Sequence, residues 1–540
     1  MTDSWLLSLR DALWLYGVLP VLALVGVWLT VRLRAPQLTR LADAWKAVRH
    51  NGDKDEGATP VAASLLLTTT LSQSTAALVG AATSIALSGP GALAWLWLAA
   101  FLFAPIRVGE ALLARTNPPG QSTGSAPTSF AARLLAEKRK GLGYLTVGLV
   151  GVVALGFAGA SNGHAMRAVV IGIAPEALLP VAIGIAVLSL GVALAGAKRV
   201  GEIVGWLALL AFAVIFVVSL ITAFAAPGRA FGALARVVRD AIEGAPTMGA
   251  FAGALAGEIA RTTLLRAVLP LVTDAGSSGA MLAMAKAPAR QVAAAALLPS
   301  LFAAVLGTCL TLALVGSGAA TEARETARPL SELVAYEVAF ETPSQRLESD
   351  RMRNGPMRVR AGELRDTSLV LATERGVIEN PHFTYYGAPA DLAISFENGR
   401  VAHLARYQGL ALGEVPVTQA REVMVQGTML LDGGTLLTRT FAGHAARSVP
   451  AQLVFAALLI LVLLSSTTFA ITAAETAKSV GAPRSVGAAF AALPAIGILL
   501  AVALRVPYLN TAGEVAGGLL AVVVAATVYA RSGEIHKRLQ

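Results

Sequence analysis

Eleven long apolar segments constrain this chain more than any other feature of its sequence. Each is near the length of about 20 residues that crosses the hydrocarbon core of a bilayer as an α-helix. In lipid, an open chain satisfies its backbone polar groups only by forming a helix, so each segment predicts a membrane span. Numbered one to eleven in chain order, the segments are 12–31, 61–88, 92–114, 143–165, 177–196, 203–226, 246–265, 292–317, 449–474, 485–505 and 511–530.

The composition agrees with this interpretation. The 540 residues are 55% hydrophobic and 14% charged, and the mean hydropathy is +0.66. Soluble domains contain about 25% charged residues. We therefore predict an all-α polytopic membrane protein with about 11 transmembrane helices and the lipid bilayer as its surroundings. The net charge of +10 does not indicate nucleic-acid binding, because a basic excess is typical of cytoplasmic loops in membrane proteins.

The distribution of basic residues predicts the orientation. With the N-terminus outside, the short cytoplasmic connections contain 22 Lys and Arg residues, and the short outside connections contain 6. Positive charge is enriched in cytoplasmic loops, so we expect an outside N-terminus and a cytoplasmic C-terminus. The expected location is the inner (plasma) membrane of a bacterium.

Residues 320–447 differ from the rest of the chain. They contain 16 acidic residues and 14 Arg but no Lys. The runs 392–396 and 401–407 flank Asn398-Gly399, which is a strong hairpin signal. The runs 423–431 and 435–441 flank Asp432-Gly433-Gly434 and predict a second hairpin. We expect a small β-rich insert outside the membrane.

Polar side chains interrupt four of the apolar segments. Span two contains a run of hydroxyls and an amide at 68–75, and span nine contains four consecutive hydroxyls at 465–468. Glu258 follows the glycine-rich stretch of span seven, and intramembrane acids are functional candidates. Each feature has a structural alternative: hydroxyls that bond to their own helix, a glycine face for helix packing, and pairing of Glu258 with Arg261. In span four, Asn162 and His164 are further polar residues without an assigned role.

Two motifs carry a resemblance to a known family. Residues 80–97 read GAATSIALSGPGALAWLW, and 110–114 read EALLA. Both resemble the alanine or glycine:cation symporter family, whose pattern there is GVATAIALGGPGAIFWMW followed by AEALLA. The stretches 23–49, 249–258 and 274–290 are similar to the same family in the same order, and 463–475 more loosely.

The resemblance implies a leucine-transporter-like fold with a 5+5 inverted repeat. An extra N-terminal helix (1–35) would precede a first repeat at 55–230. The second repeat would begin at 245–318 and resume at 449–531 after the insert at 320–447. A cytoplasmic tail would follow at 532–540. The first helix of each repeat would be broken in mid-membrane, where its ends face a substrate carboxylate and a cation.

The resemblance also implies a site. Substrate-binding residues would be Gln73, Ser74 and Thr75 of span two together with Gly253 and Gly257 of span seven. Sodium would bind Ser465, Ser466 and the backbone of Ala76, and Glu258 is a candidate for coupling to a proton instead. The family's break reads Gly-Thr-Gly-Asn, whereas this chain has Ser74-Thr75-Ala76-Ala77. Alanine favours helix by about 1 kcal/mol over glycine. Span two is therefore either a broken helix with a reshaped pocket or an unbroken one.

The resemblance implies a sodium-coupled symporter of small neutral amino acids such as alanine or glycine. The sequence contains no nucleotide-binding loop, no Cys/His metal spacing and no nucleophile elbow, so we expect neither an enzyme nor a cofactor. The alternative is a transporter-like sensor or scaffold that has lost transport and acts through the insert.

The topology gives the first testable prediction. In Asn398→Cys, a membrane-impermeant maleimide should label the protein from outside, because the basic residues place the insert there. Lys537→Cys is the matched control and should react only after the inner membrane is permeabilised. The opposite labelling pattern would overturn the orientation.

Overall fold

The computed structural model describes most of the helical region and most of the insert. The described residues are 6, 9–49, 61–116, 129–171, 173–195, 197–243, 271–285, 287–319, 324–337, 353–364, 369–373, 376–408, 411–431, 433–442, 448–504, 506 and 508–540. Eighteen helices are labelled below within these ranges. They are α1 (Leu9–Arg32), α2 (Pro36–Thr39), α3 (Leu41–Arg49), α4 (Val61–Ser72), α5 (Thr75–Ser88), α6 (Ala92–Leu113), α7 (Phe130–Ala136), α8 (Lys140–Val170), α9 (Leu178–Ala195), α10 (Ala197–Phe224), α11 (Pro227–Glu243), α12 (Ser277–Ala283), α13 (Ala289–Gly316), α14 (Gly433–Ala442), α15 (Val449–Ser479), α16 (Arg484–Leu504), α17 (Tyr508–Ala530) and α18 (Ser532–Leu539).

Nine single helices in the described ranges are long and apolar enough to cross a membrane, and the pair α4 and α5 forms a tenth, bent candidate. Ten of the eleven predicted spans therefore have a helix, or a bent pair of helices, at the predicted place. Predicted span seven, at 246–265, lies outside the described residues. The chain is thus a helical polytopic membrane protein.

Glycines bring the middle of α8 into backbone contact with α16 and α17. Residues Ala154–Ser161 of α8 form a π-helical segment. A Cβ atom at Gly156 would collide with the backbone of α17 at Gly513, and one at Gly159 would collide with Gly497 of α16. No side-chain layer separates the helices at these points. The π-helical segment ends immediately before Asn162, and such segments are frequent at functional sites.

The insert forms a separate, strongly curved antiparallel sheet. Its strands are β1 (Arg324–Pro329), β2 (Val334–Glu337), β3 (Gly355–Arg360), β4 (Glu363–Leu364), β5 (Leu369–Thr373), β6 (Gly376–Tyr385), β7 (Ala388–Pro389), β8 (Leu392–Glu397), β9 (Arg400–Gln408), β10 (Ala411–Val415) and β11 (Val423–Leu431). The main order is β1-β11-β6-β4-β3-β8-β9-β10. A core that includes Val359, Phe383 and Ile394 fills one face. The expected β-rich insert is therefore present.

One of the two predicted hairpins is confirmed and the other is wrong. Strands β8 and β9 pair antiparallel around Asn398 and Gly399, whose φ angles of 50° and 74° suit the tight turn. The second prediction fails because the residues after the Asp-Gly-Gly sequence form helix α14. Leu436, Leu437 and Phe441 of α14 are buried in the helical region. Burial of these three side chains outweighs the local turn signal.

Helix α14 joins the sheet to the helical region. It begins two residues after the end of β11 and packs against α5, α8 and α15. Gly434 lies so close to Ala168 of α8 that a Cβ atom at this position would overlap with the Ala168 side chain. The β-sheet is therefore attached to α5, the second half of the bent pair, by one short helix.

Charged side chains fasten α18 to α7 at one end of the helical region. The buried Arg133 guanidinium donates to Glu137 at 2.8 Å and to both carboxylate oxygens of Glu534 at 3.0 and 2.9 Å. Arg531 donates to the second Glu137 oxygen at 2.9 Å. Burial alone would raise the pKa of Glu137, but the hydrogen bonds from Arg133 and Arg531 outweigh it and hold that pKa below its ordinary value.

This cluster predicts a loss of stability in acid. Because the pKa of Glu137 is lower in the folded protein than in the unfolded chain, its stabilising effect is complete above about pH 5 and is lost as the pH falls through the folded value. At neutral pH, Glu137→Gln should cost about 2 kcal/mol, since hydrogen bonds between charged groups are lost. It should also flatten the acid dependence of the unfolding temperature in detergent.

Glu475→Gln is the matched control, since its partner Lys478 is half exposed. Exposed pairs contribute about 0–1 kcal/mol. An unchanged acid profile in Glu137→Gln would contradict the assignment.

Candidate functional site

Span two is broken at Gln73 and Ser74. Helix α4 ends at Ser72, α5 begins at Thr75, and the two halves are bent by 46°. The Ser74 hydroxyl accepts the N–H of Ala77 at 3.3 Å, which is the bond of an N-cap. The interpretation of span two as an unbroken helix is therefore wrong. A capping serine starts a new helix here without the family's glycines.

Hydroxyls near the break bond mainly to their own helix. Thr68 and Thr69 donate to the carbonyl groups four residues earlier, and Thr70 and Ser72 to those three residues earlier. The Gln73 amide donates to the Ser72 carbonyl at 2.8 Å. The structural alternative is confirmed for these hydroxyls, which satisfy helix carbonyls in an apolar environment.

Asn162 connects the break to α15, which is span nine. Its side-chain oxygen Oδ1 accepts the backbone N–H of Ala76 at 3.2 Å, close to the start of α5. Its nitrogen Nδ2 donates to the Ser465 hydroxyl at 3.2 Å and to the Ala158 carbonyl at 3.0 Å. Ser466 donates to the same carbonyl at 3.2 Å. The structure thus brings Ser465, Ser466 and Ala76 together around one buried amide.

Two further contacts join span two to α15. The Thr75 hydroxyl donates to the Leu458 carbonyl at 2.6 Å. Thr70 and Thr468 hydroxyls lie 3.2 Å apart. The Thr75 hydroxyl is therefore engaged with α15. Ser74, Thr75 and Ser465 are all completely buried or nearly so.

The described part of the site consists of neutral oxygen and nitrogen atoms. Among the described residues, no group of three or more His, Cys, Asp or Glu side chains is placed to hold a metal ion. The Thr467 hydroxyl is buried and has no hydrogen-bond partner within the described ranges. Gly253, Gly257 and Glu258 lie outside those ranges, so their predicted roles stay predictions.

A second buried polar cluster holds α6 to the start of α12. Arg107 forms a two-bond ion pair with Asp274, at 2.7 and 2.6 Å. Glu110 accepts the N–H groups of Gly276 and Gly279 at 2.9 and 2.7 Å, together with the Ser278 hydroxyl. These contacts order a helix start, so Glu110 of the EALLA motif has a structural role here.

Sequence reasoning gave Asn162 no role. Its contacts lie 86 residues away at Ala76 and 303 residues away at Ser465, so no local sequence pattern predicts them. The available signal was an amide side chain within an apolar span. Buried polar groups in proteins are nearly always hydrogen-bonded, so such an amide indicates partners on other helices.

The fold and this site define a helical membrane protein in which a broken span contacts a cluster of buried polar side chains. The model of the sodium:alanine symporter family matches residues 1–340. The chain therefore belongs to the sodium:alanine symporter family, as the motifs at 80–97 and 110–114 predicted. A comparison with curated proteins found no match.

The contact between Thr75 and Leu458 gives a prediction for the site. Thr75→Val keeps the shape of the side chain but removes the hydroxyl donor, leaving a buried carbonyl without that partner. We expect a loss of about 1–3 kcal/mol. Thr75→Ser keeps the donor and should stay close to the wild type. Thermal unfolding of the purified variants measures the difference, and equal stability of the two would contradict the role of the hydroxyl.

Proposed function

We propose that this chain is a sodium-coupled symporter of small neutral amino acids, such as alanine or glycine. Membership of the sodium:alanine symporter family supports this function. The observation that carries the proposal is the capped break at Gln73-Ser74, which lies beside the hydroxyls of Ser465 and Ser466 through Asn162.

The start of α5 suits a carboxylate. The first N–H groups of a helix lack partners within the helix, and the helix dipole places partial positive charge there. Ala77 N–H is taken by Ser74 and Ala76 N–H by Asn162. We assign the N–H groups of Thr75 and Ala76 to the substrate carboxylate, which takes the place of Asn162 at Ala76, and we keep the Ala76 carbonyl for the cation. Ser74 and Gln73 shape the break. Gly253 and Gly257 complete the proposed pocket.

The cation side uses neutral oxygens. Hard cations prefer oxygen ligands. On α15, the Ser466 hydroxyl donates to the Ala158 carbonyl, and the Ser465 hydroxyl accepts from Asn162 Nδ2. The backbone of Ala76 lies on the other side of Asn162. Neutral donors suit a monovalent ion such as sodium better than a divalent one, which is usually bound with carboxylates. If sodium does not bind here, Glu258 is the candidate for coupling to a proton.

We further propose alternating access through two inverted repeats, spans two to six and seven to eleven. The repeats occupy 55–230 and, interrupted by the insert, 245–318 and 449–531. The symporter lies in the inner membrane with its N-terminus and insert outside and its C-terminus in the cytoplasm. The substrate and the cation then bind where both repeats meet.

The rival function is a transport-deficient sensor acting through the insert. The loss of the break glycines and the unusual insert favour it. Span two is broken even without those glycines, and α14, which follows β11 of the sheet, packs directly against α5. A sensor of this kind predicts amino-acid binding without transport.

Uptake into proteoliposomes tests the proposal. Labelled alanine should accumulate under an inward sodium gradient and not when potassium replaces sodium. Ser465→Ala combined with Ser466→Ala removes two oxygen ligands and should lower the sodium stimulation at least tenfold.

Thr472→Ala is the matched control on the same helix, since the Thr472 hydroxyl bonds only to the Phe469 carbonyl of its own helix in the described structure. Wild-type sodium dependence in the double variant would contradict the assignment of Ser465 and Ser466 to the cation. Binding without uptake in the wild type would favour the sensor.

A further inference from the structure

Asn162 is placed to do more than stabilise the fold. It is completely buried and lies directly after the π-helical turn of α8. Its single planar amide reaches the two halves of the proposed site at once, with Ala76 on one side and Ser465 on the other. Both partners are the groups we assign to the ligands.

The partners fix which way the amide faces. Ala76 offers an N–H, which needs an acceptor, and Ala158 offers a carbonyl, which needs a donor. The reversed amide would set nitrogen against N–H and oxygen against carbonyl oxygen, which are two repulsive contacts. Oδ1 therefore faces Ala76, and Nδ2 faces Ser465 and Ala158.

Each ligand competes with Asn162 for one of these contacts. A carboxylate forms charge-assisted hydrogen bonds and is a stronger acceptor than an amide oxygen, so a substrate carboxylate takes the Ala76 N–H in preference to Oδ1. A cation at Ser465 needs the hydroxyl oxygen toward which Nδ2 now directs a partly positive hydrogen. The cation is favoured once Nδ2 turns away.

We propose that Asn162 couples substrate binding to sodium binding by occupying both sites with one rigid group. When the carboxylate of an amino acid displaces Oδ1 from Ala76, the amide turns as a unit and Nδ2 leaves Ser465, which then accepts sodium. Linkage makes the effect reciprocal, so sodium raises the affinity for the amino acid by the same factor. This inference rests on the proposed function and specifies how its two ligands communicate.

The test measures binding of alanine and of sodium to the purified protein separately and together, by titration calorimetry with choline as the sodium-free salt. In the wild type, sodium should raise the affinity for alanine about tenfold, within the usual range of coupling between sites. Asn162→Leu has a similar shape and no polar atoms. It should bind sodium more tightly without alanine, and the coupling factor should fall to below about twofold.

Asn162→Asp provides the opposite change. Its carboxylate competes with the substrate for the Ala76 N–H and attracts the cation at Ser465, so alanine should bind at least tenfold more weakly and sodium more tightly. If Asn162→Leu does not yield folded protein, Asn162→Asp, which keeps the acceptor for Ala76, decides alone. Tighter alanine binding in Asn162→Asp would overturn the inference.

Ser161→Ala is the matched control. Ser161 precedes Asn162 on the same turn, but its hydroxyl donates to Asn510 of α17, and its coupling factor should equal that of the wild type. Wild-type coupling in Asn162→Leu overturns the inference and leaves the proposed function intact. A wild-type protein that binds neither ligand overturns both.

Discussion

The structure depends on satisfying backbone polar groups where a helix stops inside an apolar environment. In lipid, an unpaired N–H or carbonyl costs several kcal/mol. At the break of span two, Ser74 caps the new helix, Gln73 bonds to the last turn of the old one, and Asn162 accepts the N–H of Ala76. The same bonds place a helix start beside the hydroxyls of span nine. Stability and the proposed site therefore share one set of interactions.

The spans were predictable because the bilayer sets their length and each one is a continuous run of apolar residues. The hairpin at Asn398 was predictable for a similar reason, since Asn-Gly tolerates the positive φ of a tight turn. Helix α14 was mispredicted because its secondary structure depends on packing against residues that are distant in the sequence. Leu436 and Phe441 find α5 and α15 only in the folded chain, and tertiary burial overrode the local signal.

The candidate site was predictable only in part. Ser465 and Ser466 stood out as consecutive hydroxyls in an apolar run, and Ser74 is a favoured N-cap residue. Their meeting point is Asn162, whose contacts cross 86 and 303 residues of sequence. A single amide in an apolar span indicates that it has hydrogen-bond partners, but the sequence does not identify those partners. Long-range pairing of this kind requires the three-dimensional structure.

The glycine contacts of α8 have a mechanical consequence. Where Gly156 and Gly159 meet Gly513 and Gly497, the backbones touch without intervening side chains. Sliding one helix past another there would drive each backbone into the next residue's Cβ atom, so these contacts fix how α8, α16 and α17 lie against one another. Asn162 lies on α8, whereas Ala76 lies on α5, the second half of the bent pair. The Asn162–Ala76 hydrogen bond of 3.2 Å therefore joins these packed helices to α5, and it would be lost if α5 moved away by about 1 Å.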